Sequence, residues 1–364
     1  MSARRCNATV GNSPVTVKFA YGIPDIILGY GEHYGFEIAT PGQRCSVCNQ
    51  YTLPVETTFL QAQPALRGEE VAAISINCIV NGGNRLGESP VWSVREQKLY
   101  WVDSRAPAVF RHDPATGLTE TRPVPSIVGS VGLRSAGAGK LIVALRNGLH
   151  KFDFDTGVLT FLSDPEEDEF ENRFNDGRCD RRGRFWSGTM NDVRRDPTGS
   201  LYRFDPDGEA TKMLGDIIVP NSICWSPDDR VMYFADTYRL QIRSFKFDAN
   251  SGRISDETLF AETRDRKGRP DGSTVDVEGF LWNAEYDGWR VVRYTPDGRI
   301  DRVIDLPVSS PTSCSFGGPN LDILYVTSAT QRLSEADLAA QPHAGGVFAI
   351  HAGVVGLPEP EFLG

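Results

Sequence analysis

The sequence predicts an all-β fold, a six-bladed β-propeller, and three observations support this prediction. Short apolar pairs of strand type recur six times, at spacings of 42 to 48 residues. A tight turn that ends in Gly follows five of these pairs, and a strand-like run at 74–80 precedes the first of them. A period of about 40–50 residues, built from short strands and Asp/Gly turns, is typical of propeller blades.

The repeated elements follow one order within each blade. Aromatic and β-branched residues favour strands, and Asp or Asn with Gly favours tight turns. The apolar pairs are Tyr100-Trp101, Ile142-Val143, Phe185-Trp186, Tyr233-Phe234, Leu281-Trp282 and Leu324-Tyr325. The turns lie at 113–117, 153–157, 205–208, 248–252 and 295–298. Each repeat therefore indicates one sheet of short antiparallel strands.

The strand-like run at 74–80 lies where a propeller needs one strand to close its last blade against the first. An open ring would leave two unpaired sheet edges. We therefore expect the propeller to span residues 73–355, followed by a C-terminal tail at 356–364. Residues 1–72 do not share the repeat. They form an N-terminal extension, for which a disordered segment, a small appended element and the product of an upstream start site all remain open.

Polar residues recur at one phase of the repeat, 11 or 13 residues before the second member of each apolar pair. Strand alternation places them on one face, and a propeller gathers that face around a central channel. They are Glu88, Ser130, Asn175, Asn221, Asp271 and Thr312. One interpretation is a wet channel that accepts any polar residue. The other is that Glu88, Asn221 and Asp271 converge on one divalent cation, because carboxylate and amide oxygens suit hard ions.

The bulk composition excludes several classes of partner. A formal net charge of −10 argues against nucleic acid or an anionic membrane as the main partner. No stretch approaches the roughly 18 apolar residues that span a bilayer, and the basic start of the chain precedes no apolar signal region. The seven cysteines have irregular spacing, and although Cys45 and Cys48 resemble half a zinc site, no second pair follows. We expect a reduced, cytoplasmic protein and no disulfide framework; the oligomeric state is open.

The motifs of several common catalytic classes are absent. The sequence has no His-Glu-x-x-His, no Gly-x-Ser-x-Gly and no Gly-rich phosphate loop, and none of its five histidines falls at the channel phase. The densest polar cluster is 171–176, in which alternation directs Arg173 and Asn175 towards the channel mouth. A guanidinium beside an amide suits the hydroxyl or carbonyl oxygens of a polar ligand. A loop with Asn/Asp turn chemistry and a surface arginine explains the cluster equally well.

Seven short motifs appear in an order that resembles the senescence-marker-protein/gluconolactonase family, which includes regucalcin and bacterial sugar lactonases. They are GESPVW at 87–92, NRFNDG at 172–177, GTM at 188–190, PN at 220–221, PDG at 270–272, CSFGG at 314–318 and AGGVF at 344–348. The resemblance implies a six-bladed propeller with one divalent cation in its channel. It further implies Glu88, Asn221 and Asp271 as metal ligands, and Arg173 and Asn175 as substrate contacts.

The sequence departs from the family pattern at two places. Ser222 follows Asn221 where the family often has Gly, which we expect to add a hydroxyl near the channel mouth. The animal branch has an acidic substrate contact shortly after Thr-Met, and here the acidic residue of the run 191–195 is Asp192, on a loop over the channel. The run at 190–192, followed by 199–203, looks closer to the bacterial pentonolactonases than to regucalcin.

Taken together, these features predict metal-dependent hydrolysis of a sugar lactone to its aldonic acid. The lactone could be a xylono-, arabinono-, galactono- or gluconolactone, and the cation calcium, zinc, magnesium, manganese or ferrous iron. The cation would polarise the lactone carbonyl and Asp271 would assist the attacking water as general base. The alternatives are a calcium-binding regulatory protein without turnover, a hydrolase of a non-sugar lactone or ester, and a propeller that serves as a protein-docking scaffold.

Overall fold

The structure, a computed structural model, describes residues 4–10, 13–19, 74–264 and 267–364. The chain divides into two units, Met1–Val71 and Ala72–Gly364. In the first unit, strands β1 (Arg4–Val10) and β2 (Ser13–Phe19) form an antiparallel pair. The rest of the N-terminal extension, with Cys45 and Cys48, lies outside the described residues, so the prediction for that pair stays open.

The second unit consists of six antiparallel sheets arranged as a β-propeller, which confirms the predicted fold class. The innermost strand of each sheet comes first in the following list. The blades are β4 (Gly87–Ser93), β5 (Lys98–Asp103), β6 (Ala108–Asp113) and β7 (Leu118–Pro123); β8 (Val128–Arg134), β9 (Lys140–Leu145), β10 (Gly148–Asp153) and β11 (Leu159–Ser163); β12 (Asn172–Cys179), β13 (Phe185–Asn191), β14 (Gly199–Phe204) and β15 (Ala210–Ile217); β16 (Pro220–Trp225), β17 (Val231–Asp236), β18 (Gln241–Asp248) and β19 (Arg253–Glu262); β20 (Arg269–Val275), β21 (Leu281–Tyr286), β22 (Arg290–Tyr294) and β23 (Ile300–Asp305); and β24 (Pro311–Gly317), β25 (Ile323–Ser328), β26 (Val347–His351) and β3 (Ile76–Val80).

The sixth blade explains why the sequence contains only five of the Asp/Gly turns. In the first five blades the turn joins the third strand to the fourth, and its last glycine has φ between 65 and 93°. Glycine adopts this left-handed region without a steric penalty. In the sixth blade the fourth strand is β3, which comes from the beginning of the propeller and pairs with β26. The predicted ring closure by this strand is therefore present.

Aromatic side chains fill the space between neighbouring blades. Trp92 of β4 stacks on Tyr325 of β25 with ring centroids 5.6 Å apart, and Trp186 of β13 meets Trp225 of β16 at 5.8 Å. Such large apolar side chains dominate the energetics of a core. Two short helices interrupt the sheets: a 3-10 helix, η1 (Thr237–Arg239), and α1 (Glu335–Ala340). No helix in the described ranges has the length and apolar character to cross a membrane.

Residues 356–364, which we set apart as a tail, pack against the propeller. Strand β27 (Glu361–Phe362) pairs in parallel with the inner strand β8, and the Phe362 side chain is fully buried. Glu361 also forms a salt bridge of 3.0 Å with Arg95. The end of the chain thus occupies the channel side of the second blade.

The inner strands share a feature that strand alternation alone does not predict. Each of the six carries a β-bulge at, or directly beside, its channel-phase residue. A bulge locally increases the twist and redirects a side chain. Ser89 and Ser222, each directly after a predicted ligand, have φ of 52 and 61°. The polar phase of the repeat is therefore also the irregular phase of every inner strand.

Candidate active site

An open cavity of about 460 Å³ lies at the end of the channel where the inner strands begin. It is lined by all three predicted metal ligands, Glu88, Asn221 and Asp271, together with Arg173 and Asn175. These residues come from four inner strands, β4, β12, β16 and β20. All five are buried, with exposures between 2 and 8%. The structure therefore brings together five of the six predicted site residues.

One carboxylate oxygen of Asp271 has no hydrogen-bond partner within the described part of the chain. Its Oδ1 is buried and accepts no hydrogen bond from any described residue. Its main-chain carbonyl is held firmly, accepting from Ser222 Oγ at 2.5 Å and Asn283 Nδ2 at 3.0 Å. A buried polar atom without a partner is costly, and such atoms mark places where a ligand or ion can bind. The backbone at Asp271 is thus fixed, while one oxygen of its side chain is buried without a partner among the described residues.

Burial and neighbouring negative charges disfavour the ionised form of the two carboxylates of the site. Burial, with the charges of Asp271 and Asp176, raises the pKa of Glu88 well above its usual value, and the charge of Arg173 opposes this only in part. Burial and the charge of Asp176 likewise raise the pKa of Asp271 well above its usual value. Buried carboxylates of this kind need a counter-charge to stay ionised. A divalent cation would supply it.

Asn221 completes an oxygen set that fits such a cation. Its Nδ2 donates to Thr237 Oγ1 at 2.7 Å, and that hydroxyl donates to the carbonyl of Pro270 at 2.8 Å. This chain of donors fixes the amide, so that Oδ1 faces Asn175 Nδ2 at 3.1 Å. Among the described residues, no group of three or more His, Cys, Asp or Glu side chains could hold a metal. The candidate set differs in kind, because it combines two carboxylates with one amide oxygen, ligands that suit calcium or magnesium.

Arg173 is bound to the protein on one side and lines the cavity on the other. Its Nη1 donates to Asn175 Oδ1 and to the carbonyl of Phe174, both at 2.8 Å, and its Nε donates to Asp192 Oδ1 at 3.0 Å. Burial lowers the pKa of Arg173 to about 10, and the charge of Asp192 acts against this change. The guanidinium stays charged at neutral pH, and none of the described residues accepts a hydrogen bond from Nη2, which leaves it for a ligand.

Asp192 lies behind the cavity wall and is not one of the lining residues. Its carboxylate accepts from three guanidiniums, Arg105 at 2.6 Å and Arg146 and Arg173 at 3.0 Å. Burial alone would raise the pKa of this carboxyl, but hydrogen bonding from Arg105 and the charge of Arg173 lower it to about 2. Its oxygens are therefore occupied by protein cations, and a direct contact with substrate stays a prediction.

The hydroxyl of Ser222 does not lie near the mouth, so that expectation is wrong. Ser222 is fully buried and outside the cavity lining. Its hydroxyl donates to the Asp271 carbonyl and accepts from Ser273 Oγ at 2.9 Å. The left-handed backbone at the bulge turns the side chain towards the neighbouring blade. The residue therefore supports a ligand strand instead of contacting solvent.

The sequence analysis missed several residues that line the cavity. Thr237 begins a short helix outside the repeat, and nothing in the sequence marks it. Four further arginines are present, Arg105, Arg195, Arg269 and Arg332. Only Arg269 had a usable signal, because it precedes Asp271 by two residues as Arg173 precedes Asn175. The others lie in connections between strands, where no periodicity predicts direction.

Comparisons with known proteins agree with this architecture. The chain matches the family described as SMP-30/Gluconolactonase/LRE-like region over residues 86–330. It is 39% identical over 290 residues to a 6-deoxy-6-sulfogluconolactonase from Pseudomonas putida, a match covering 80% of this chain and 99% of that protein. It is 35% identical over 301 residues to regucalcin from Gallus gallus, covering 81% of this chain and 100% of that protein.

A solved structure gives the same result for the fold. It is a calcium-binding protein, regucalcin, from Agrobacterium tumefaciens, with a TM-score of 0.75 and 31% identity, covering 78% of this chain and 96% of that one. The family match spans well over half of the chain, and it includes all six site residues predicted from the sequence. The chain therefore belongs to the SMP-30/gluconolactonase/LRE-like family, as the sequence motifs predicted.

Proposed function

We propose that the protein is a hydrolase that opens a sugar lactone to its aldonic acid with one divalent cation held by Glu88, Asn221 and Asp271. The observation that carries this proposal concerns Asp271: its Oδ1 is buried and unpartnered among the described residues, and the residue lines a cavity shared with Glu88 and the fixed Arg173–Asn175 pair. The similarity to a 6-deoxy-6-sulfogluconolactonase supports the reaction class.

The chemistry divides between the cation and the side chains. When bound, the cation would supply Lewis-acid polarisation of the lactone carbonyl. Asp271 takes the proton from the attacking water on its carboxylate while the water oxygen bonds to the carbonyl carbon. The bond from that carbon to the ring oxygen then breaks, and the same proton passes from Asp271 to the released ring oxygen, which becomes a hydroxyl. A carboxylate is a weak base, but a strained lactone needs little assistance.

Arg173 and Asn175 orient the substrate in this scheme. The salt bridge to Asp192 and the bond to Asn175 hold the Arg173 guanidinium in one plane, so that Nη2 points at a fixed place. Preorganised donors lower the barrier because no reorganisation is needed when charge develops. We propose that Asp192 acts by positioning Arg173 and Arg105, its two partners that line the cavity.

The test is a pH-stat assay of chelator-treated protein on a panel of aldonolactones, with calcium, zinc, magnesium, manganese or ferrous iron restored one at a time. We expect no enzymatic turnover without metal and recovery with at least one cation. Asp271→Ala is expected to lower kcat by a factor of about 10³ or more, because one change removes a ligand and the base. The control is Glu257→Ala, since Glu257 is about half exposed on β19, the outermost strand of its blade, and does not line the cavity.

A second candidate is a calcium-binding protein without turnover, favoured by the similarity to a structure described as a calcium-binding protein. Tight metal binding by calorimetry, without hydrolysis of any lactone, would support it over the enzyme. Hydrolysis of non-sugar esters alone would support the remaining alternative. A cytoplasmic location and the absence of nucleic-acid or membrane partners also stay proposals. The free thiols of Cys179, Cys224 and Cys314 are consistent with a reducing compartment.

A further inference from the structure

The cavity carries more positive charge than the proposed reaction requires. Besides Arg173, it is lined by Arg105, Arg195, Arg269 and Arg332. Opening a neutral sugar lactone needs hydrogen-bond donors for hydroxyl groups, which amides and hydroxyls also provide. Five guanidiniums around one cavity are costly to hold together, because like charges repel and burial disfavours each of them.

The carboxylates nearby do not neutralise this charge. Arg105 and Arg173 both form salt bridges with Asp192, which also forms one with Arg146. Arg269 pairs with Asp287 at 3.1 Å, in a bridge that is partly exposed. Within the described ranges, no salt bridge is formed by Arg195 or Arg332. The charges of Glu88 and Asp271 would be matched by the divalent cation, so the guanidiniums keep an excess of positive charge.

Three of these arginines meet around one aromatic ring. The guanidinium carbons of Arg195 and Arg269 lie 5.8 and 5.4 Å from the ring centroid of Tyr238. Arg332 lines the same cavity as Tyr238. Burial would raise the pKa of the Tyr238 phenol, but its interaction with Arg332, together with the charges of Arg195 and Arg269, lowers it. The group of Arg195, Arg269 and Arg332 around Tyr238, here called the arginine cluster, is thus a region of positive potential.

The backbone of Arg195 also has an uncommon conformation. Arg195 adopts φ of 63°, in the left-handed region that non-glycine residues seldom occupy. Its side chain is directed over Tyr238, and Nη1 lies 3.4 Å from the sulfur of Met190, another lining residue. Strained backbone persists where the surroundings enforce it, and it is frequent in ligand clamps. The loop therefore holds a cation beside two like charges at a conformational cost.

We propose that the substrate lactone carries an anionic group at the end of its carbon chain, away from the lactone carbonyl, and that the arginine cluster binds it. The inference rests on the proposed lactone hydrolysis, which it narrows to anionic sugar lactones. A sulfonate, a phosphate and a carboxylate share the chemistry that guanidiniums recognise, namely several oxygens around one negative charge. The cation site engages one end of the substrate and the arginine cluster the other.

The decisive assay compares lactones that differ only at the terminal carbon. Glucono-1,5-lactone has a hydroxyl there, and its counterparts have a 6-phosphate, a 6-deoxy-6-sulfonate or, as glucarolactone, a carboxylate. We expect kcat/KM to be at least about tenfold higher for one anionic lactone than for the neutral one, mainly through KM. The preference should shrink as salt rises from 0.05 to 0.5 M, because screening weakens exposed ion contacts. The three anionic arms identify the group that the site takes.

Substitutions then test whether the arginine cluster causes the preference for anionic lactones. Arg332→Gln is expected to reduce the ratio of anionic to neutral kcat/KM by about 10- to 100-fold, as the loss of a hydrogen bond to a charged group predicts. Arg332→Lys should retain part of the preference for anionic lactones, because lysine keeps the positive charge but lacks the paired N–H donors of the guanidinium. Arg230→Gln, at a strongly exposed site on another face, is the matched control and should leave both rates as in the wild type.

A binding measurement keeps this inference separate from the proposed hydrolysis. Inorganic phosphate and sulfate are titrated calorimetrically into metal-free protein, into Arg332→Gln and into Arg230→Gln. Binding by the wild type and the control, weakened in Arg332→Gln, supports the inference even if no lactone is turned over. Equal kcat/KM for neutral and anionic lactones at low salt, with no difference in anion binding between the variants, would overturn it while leaving the lactonase proposal intact.

Discussion

The two ends of the propeller channel both contain buried charge, but only one end leaves it unpaired. Where the inner strands finish, the C-terminal segment covers a second cavity of about 350 Å³, with 357–360 in its wall. There Arg178 meets Glu359 at 3.5 Å and donates to the Cys314 carbonyl at 3.3 Å. Where the inner strands begin, Asp271 Oδ1 has no partner in the described structure.

The difference separates structural charge from functional charge. A buried ion pair satisfied by its own chain closes one end of the ring, as the Arg178–Glu359 bridge does. A buried carboxylate without a partner costs stability, and it persists where a ligand compensates for it. The cysteines follow the same division, because Cys179 and Cys224 line the closed end. Burial raises the pKa of the nearby Cys314 to about 12, so its thiol stays neutral at physiological pH.

The largest expected effect on activity comes from neutralising Asp271, the unpaired carboxylate at the end of the channel where the inner strands begin. Asp271→Asn should lower kcat by a factor of about 10³ or more and, in the presence of chelator, raise the free energy of unfolding by about 1–3 kcal/mol, because an uncompensated buried charge is removed. Lactonase assays and urea unfolding of metal-free protein measure the two quantities. A variant that is both inactive and less stable would show that this carboxylate has a structural role, and the comparison between the ends would fail.

A substitution at Asp192 tests how the arginines are neutralised at the end of the channel where the inner strands begin. Asp192→Asn should destabilise the protein by about 3 kcal/mol at neutral pH, because the buried Arg173 loses its counter-charge. The pKa of Asp192 is depressed in the folded state, so its contribution is complete above the unfolded value near 3.8 and is lost as the pH falls through about 2. Urea unfolding of wild type and variant should therefore show a clearly smaller difference in stability at pH 2.5 than at pH 6. A constant difference would contradict the assignment.

A substitution at Glu359 tests the ion pair at the end of the channel where the inner strands finish. Glu359→Gln should lower the free energy of unfolding by about 2 kcal/mol, because Arg178 loses its charged partner while Ser315 keeps a hydrogen-bond acceptor. The kcat of the folded fraction should stay within about twofold of the wild type, since neither residue lines the cavity of the candidate active site. Thermal unfolding and the lactonase assay give both numbers. A large fall in kcat without loss of stability would show that the two ends are coupled.

Ser222→Gly is expected to have the smallest effect. Glycine relieves a left-handed backbone, worth about 1–2 kcal/mol, while the lost hydroxyl removes a hydrogen bond to the Asp271 carbonyl worth about 1 kcal/mol. The net change in stability should stay within about 1 kcal/mol. A fall in kcat larger than about tenfold, measured alongside unfolding, would show that this hydroxyl positions Asp271 and does more than fill the space between blades.

The local pattern of the sequence predicted the repeat, the ring closure and five of the residues that line the cavity. Strand alternation, Asp/Gly turns and polar residues at one phase are all properties of short segments, and a propeller repeats them around one axis. Four of the six channel-phase residues line the cavity although bulges interrupt the alternation, because every inner strand bulges at about the same place.

Only the tertiary structure decided the contacts made between loops of different blades. The bulge that turns Ser222 away from the mouth, the three arginines on Asp192, the arginine cluster at Tyr238 and the parallel strand at the C-terminus join segments far apart in sequence. No periodicity governs such connections, since their directions depend on backbone turns and on which charges the neighbouring blades present. Hydrophobic spacing therefore determined the ring and its axis, whereas the packing of irregular segments determined which charges at that axis remain without a partner.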